Sequence, residues 1–164
     1  MELNKESVYK FENVEDIKKF IVGGKAIMTL ESKRTSRWFT YKIKRAKKDD
    51  LTSPFFVSVL TGMDNESAYT YMGTIFSKNN KLEFSLTKNS KIGEDALSYK
   101  AFTYFFKLLL ENKLHEEMAI YHRGICSVCG KTLTQPESLK NGIGPFCMGI
   151  STKNVEKRKL KVVR

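Results

Sequence analysis

Cysteine, proline and histidine are scarce in this chain, with three, three and two residues among 164. An odd cysteine count behind a polar start, MELNKESVYK, argues against a disulfide framework and for a reducing compartment. Long apolar runs are missing too. The longest, around Phe105–Leu110, is far shorter than a membrane span, so no membrane partner is expected. A cytoplasmic protein is the expectation. The usual catalytic sets are also lacking: no Ser-His-Asp group, no phosphate-binding glycine loop, no convincing pair of carboxylates. Asp64 and Glu66 sit in a turn-like stretch where acids serve turn geometry. An enzyme is therefore not expected.

Acidic residues are absent from one segment in particular. Lys33, Arg34, Arg37, Lys42, Lys44, Arg45, Lys47 and Lys48 follow one another with no carboxylate between them. A second basic block, which includes Lys157, Arg158 and Lys159, runs from Lys153 to Arg164. The net charge is +11, and the two blocks carry +13 of it, leaving −2 for everything else. Clustered Lys and Arg gain by releasing counterions from phosphates, so a polyanion is the expected partner, with a merely solvated lysine-rich surface as the plain alternative.

The spacing of apolar residues predicts a short capped helix after Asn13 that ends at Gly23-Gly24. Two-residue alternation then predicts strands over Ala26–Leu30, Trp38–Lys44, Phe55–Leu60, Tyr69–Phe76 and Leu82–Leu86. In the second of these, Phe39, Tyr41 and Ile43 share one face, and Trp38, Lys42 and Lys44 share the other. The period changes to helical over Asp95–Asn112. These elements predict an α+β fold: a five-stranded antiparallel sheet packed by one long helix, followed by a zinc knuckle and a basic tail. The expected units are 1–114, 115–150 and 151–164.

All three cysteines fall within His122-x3-Cys126-x2-Cys129-x17-Cys147. A Cys-x2-Cys pair presents two thiolates from one tight turn, and a later Cys and a flanking His supply the other corners of a tetrahedron. His122, Cys126, Cys129 and Cys147 are thus the expected ligands of a structural zinc ion, with His115 the competing fourth ligand. A zinc-deaminase reading of His115-Glu116-Glu117 with Cys126 and Cys129 fails on spacing, and it leaves Cys147 unused.

The run from Tyr121 to Cys147, YHRGICSVCGKTLTQPESLKNGIGPFC, resembles a small, uncharacterised zinc-binding domain family common in bacteriophage and bacterial mobile-element proteins. That family's pattern is H-x-G-x-C-x-x-C-G-R-x-L-T-x-P-x-S-x-x-x-G-x-G-P-x-C. The resemblance implies His122 as the ligand that accompanies the three cysteines. It departs at Lys131, where the family has Arg, so a phosphate or acidic contact there would be less bidentate. Upstream, RWFTYKI from Arg37, PFFVSVLTG from Pro54, DNES from Asp64 and YTYMGTI from Tyr69 look like the front halves of phage proteins ending in the same module. The resemblance spans roughly 35–148 and implies an architecture without an activity, and a host-cell cytoplasm as its setting.

Two functions follow as expectations. The first is nucleic-acid binding, single strands favoured, with Trp38 stacking on a base while Lys33, Arg34, Arg37, Lys42, Lys44, Arg45, Lys47, Lys48, Lys131 and the tail follow the backbone. The second is capture of a host protein by the same basic surface.

Overall fold

The computed structural model describes residues 9–47, 50, 52–64, 67–78 and 81–148. Its frame is one antiparallel sheet of seven strands: β1 (Tyr9–Lys10), β2 (Lys25–Ser32), β3 (Trp38–Arg45), β4 (Phe55–Leu60), β5 (Tyr69–Lys78), β6 (Lys81–Ser85) and β7 (Met118–His122). The order across the sheet is β1-β7-β2-β3-β4-β5-β6. Among the described residues three helices accompany it, α1 (Val14–Ile21), α2 (Leu97–Leu110) and α3 (Pro136–Asn141), and 145–148 are helical as well.

The expectation of five strands packed by one long helix is overturned. The meander β2 to β6 is present, but β7 extends it beyond β2, pairing Leu30 with Ile120, and β1 adds to the outer side of β7. Four of the five β7 residues are buried, so the strand lacks the alternation of a half-exposed strand and its period is silent. Its residues fall in the stretch assigned from sequence to the zinc module. The helix over Asp95–Asn112 is shorter than expected, and it shares the cover of the sheet with α1.

The core lies on one face. In β3, Phe39, Tyr41, Ile43 and Arg45 point to it, and Tyr41 is wholly buried. The Tyr41 hydroxyl donates to the Ser98 carbonyl of α2 at 2.6 Å, which fixes α2 over the middle of the sheet. Phe102 stacks on Phe106 and meets Phe84 edge-on, carrying the packing out to β6. Helix α1 begins at Asn13, whose side chain accepts the Asp16 N–H at 2.9 Å, and it buries Ile17, Phe20 and Ile21. Just past its end the Val22 carbonyl accepts from Arg45 Nη2 at 2.7 Å, so α1 lies on the same face as α2. Lys18 is buried between the helices with its ammonium on Asn112 Oδ1, and burial lowers its pKa.

The opposite face is different. Across it run Trp38, Thr40, Lys42 and Lys44 of β3, Phe56 and Ser58 of β4, and Tyr69 and Tyr71 of β5. Among the described residues none of the three helices packs there.

Candidate functional site

The cysteine module is built around a tight reversal. The Cys126 N–H donates to the Lys131 carbonyl at 2.8 Å, and the Gly130 N–H returns to the Cys126 carbonyl at 2.9 Å. Gly130 has φ +80°, the left-handed conformation that lets the chain double back after the second cysteine. Helix α3 then stops at Gly142, also left-handed, where a Cβ would stand 2.6 Å from the Phe20 ring. The following turn carries Cys147 back to the first two cysteines. The module is stapled to the sheet where the Lys25 N–H donates to the Ser127 carbonyl at 2.7 Å.

Cys126, Cys129 and Cys147 place their Sγ atoms within 4.8 Å of one another. Tetrahedral zinc with bonds of about 2.3 Å holds sulfurs roughly 3.8 Å apart, so small adjustments suit the three to one ion. The chemistry agrees. Burial pushes the Cys126 thiol up, but N–H groups of Gly144, Cys129 and Val128 outweigh it and hold the thiol below its ordinary value. Cys147 is pushed up to about 12 by burial and by the neighbouring Cys126 sulfur. Thiols that compete for one negative charge are what a divalent cation reconciles. The three cysteines can hold a metal ion.

His122 does not join them. Its ring is fully buried, 5.1 Å from Tyr9 and from Phe11. Nδ1 accepts the Gly124 N–H at 2.9 Å, which leaves the proton on Nε2 to donate to the Leu139 carbonyl at 2.5 Å. Both nitrogens are spent, and burial lowers the pKa so that the ring stays neutral. The other expected ligand, His115, accepts the Glu117 N–H on Nδ1 and lies beside Tyr104. Among the described residues no His, Cys, Asp or Glu completes the set of three.

The basic residues divide. Lys33, Arg34 and Arg37 are exposed in the β2–β3 turn, and Lys44, Lys47 and Lys131 are exposed as well. Trp38 is 39% exposed on the helix-free face. Lys42 lies there too, its Nζ 4.5 Å over the Tyr69 ring. Arg45 was expected among the binding residues, but it is buried on the core face with its guanidinium over Phe55, and it is removed from that set. Lys48, Lys157, Arg158 and Lys159 lie outside the described residues.

Three aromatic residues of this face were not singled out from sequence. Phe56 is 44% exposed, pairs with Thr74 of β5 and meets Tyr71 edge-on at 6.1 Å. Tyr69 lies under Lys42, and burial, partly offset by Arg123, raises its pKa. Lys25, opposite Lys44, adds a further cation. The alternation of β4 contained the signal, since Phe56 stands between the inward Phe55 and Val57.

Residues 117–150 match a family described as a family of unknown function (DUF6011). The match covers β7 and the cysteine module, which is less than half of the chain. No curated protein and no solved structure matches the chain significantly. No described helix is long and apolar enough to cross a membrane.

Proposed function

We propose that the chain is an accessory protein that binds single-stranded nucleic acid across the helix-free face of its sheet, with zinc at the three cysteines as a structural ion. The observation that carries this reading is the interleaving of exposed rings with cations. Phe56 pairs with Lys44, which in turn faces Lys25, and Lys42 lies between this group and Trp38, which opens β3 on the same face opposite Glu31; strand pairing holds all of them in register. Unpaired bases stack on such rings while ammonium groups follow the phosphates, and each stacked base contributes about 1–3 kcal/mol. The bases need no hydrogen-bond readout, so weak sequence preference is expected. Zinc suits an all-thiolate set, and it would tie the Cys126 turn to Cys147 without taking part in contact with the strand. The phage setting implied by the resemblance of 121–147 belongs to this proposal as well.

The test is fluorescence anisotropy of a labelled oligothymidine and its duplex over a salt series. The single strand should bind more tightly, with affinity falling steeply as salt rises. Lys42→Ala with Lys44→Ala should reduce both the affinity and the salt slope, by about one to two phosphate contacts. Absence of binding at low salt would sink the reading. A labelled acidic host protein captured in its place would move the basic surface to a protein partner.

A further inference from the structure

A cleft of about 720 Å³ opens on the other side of the sheet, between α2 and the β2–β3 turn. It is separate from the face that carries Trp38, because its floor is made by Leu30 and Phe39, which point to the helix side. Helix α2 contributes Leu97, Lys100, Ala101 and Tyr104, at positions i, i+3, i+4 and i+7, so one whole stripe of the helix lines the cleft. This is a second stripe. The residues that seal the core, Phe102, Phe105, Phe106 and Leu109, lie on another side of α2. Leu97 and Tyr104 are left about half exposed, 49% and 47%.

The rim is cationic. Arg34 and Arg37 come from the turn and Lys100 from the helix, and among the described residues no carboxylate lies within ion-pair distance of any of them. Glu31 also borders the cleft, but its carboxylate accepts from the Tyr121 hydroxyl at 3.0 Å and is engaged there. His115 sits against Tyr104, and because its Nδ1 accepts the Glu117 N–H, its Nε2–H is the donor it can offer. The turn itself is fixed in place: Lys33 donates its N–H to the Glu117 carbonyl at 2.7 Å, and Ser36 takes a left-handed φ of +58°.

An apolar floor, a half-exposed phenol ring and three cations with no carboxylate partner among the described residues fit a planar heterocycle that carries phosphate. We propose that this cleft is a nucleotide-binding site. The base stacks on Tyr104 above Ala101, the phosphate meets Arg34, Arg37 and Lys100, and Glu117 and His115 are left as acceptor and donor for the sugar hydroxyls. The volume falls within the range of small-ligand sites. The proposal does not rest on the sheet-face reading, since it uses the opposite side of the sheet and none of the same rings.

The experiment is calorimetric titration of the full zinc-loaded chain with AMP, alongside adenosine and inorganic phosphate. AMP should bind with a Kd on the order of 10–100 µM. Adenosine and inorganic phosphate should each bind at least about tenfold more weakly, because each retains only part of the contacts. Tyr104→Ala should weaken AMP about tenfold, and Tyr104→Phe, which keeps the ring, should restore it. Arg34→Ser with Arg37→Ser should weaken it by a similar factor and flatten its salt dependence. These side chains are exposed, so folding should be unaffected, which thermal melting checks. No saturable heat at millimolar AMP would overturn the proposal. So would inorganic phosphate binding as tightly as AMP, or an affinity indifferent to Tyr104→Ala.

Discussion

Replacing His122 separates the two roles that an imidazole beside a cysteine cluster can play. The ring is fully buried, with Gly124 N–H and Leu139 carbonyl as its partners. Truncation by His122→Ala orphans both groups, at about 1–3 kcal/mol each, and empties a space walled by Tyr9, Phe11 and Phe20. A loss of about 3–5 kcal/mol is expected, a large share of a domain's total stability of about 5–15 kcal/mol. His122→Gln, whose amide can reach one partner, should lose about 1–3 kcal/mol and remain folded for measurement. Urea unfolding of zinc-loaded protein gives the stability, and a chromophoric chelator counts the zinc. Both His122 variants should keep one zinc per folded chain, whereas Cys126→Ser and Cys147→Ser should lose it.

The same ring sets a pH dependence. Its folded pKa lies below the usual histidine value of about 6.5, so as pH falls the unfolded chain takes up the proton first. The histidine contribution is therefore complete above about pH 6.5 and declines below it, with a slope of at most about 1.4 kcal/mol per pH unit, and His122→Gln should lack this component. A His122→Gln protein with unchanged stability and zinc loss equal to that of Cys126→Ser would refute the reasoning and restore His122 as a ligand.

Other expectations are narrower. Gly23→Ala should destabilise by about 1–3 kcal/mol in thermal melts, because its Cβ would stand 2.9 Å from the Ser127 carbonyl that anchors the cysteine module to Lys25. Tyr41→Phe should cost about 1 kcal/mol in urea unfolding, since a buried hydroxyl bond to α2 is lost while the ring packing on Phe102 stays. Stripping zinc with a strong chelator should raise hydrogen exchange over 125–148 first and leave β3, β4 and β5 protected; uniform loss across the sheet, or no change at all, would contradict a structural ion confined to the module.

The sequence was most legible where one side of a strand is wet. In β3 the alternation places Trp38, Lys42 and Lys44 together, as the structure does, and carried two residues past Ile43 it also turns Arg45 inward. Charge counting hid that, because the basic run treats Arg45 and Lys44 alike. The cysteines were legible for a different reason: short spacings and flanking glycines constrain three sulfurs to one point. His122 is four residues from Cys126, but distance along the chain does not say which way a ring faces. It sits on β7, and its partners come from Gly124 and from α3, seventeen residues downstream. Strand β7 was missed because burial on both sides erases its period, and β1 because two residues have none. Both depend on pairings between distant parts of the chain.

Trp38 is the only tryptophan, so its emission reports the helix-free face without interference. Titrating the protein with unlabelled oligothymidine at low salt, while following that emission, tests most directly whether bases stack on this sheet. Saturable quenching that parallels binding, reverses on adding salt and weakens with Phe56→Ala is the predicted result. An oligonucleotide that binds while Trp38 emission stays unchanged, or no binding at all, would contradict it.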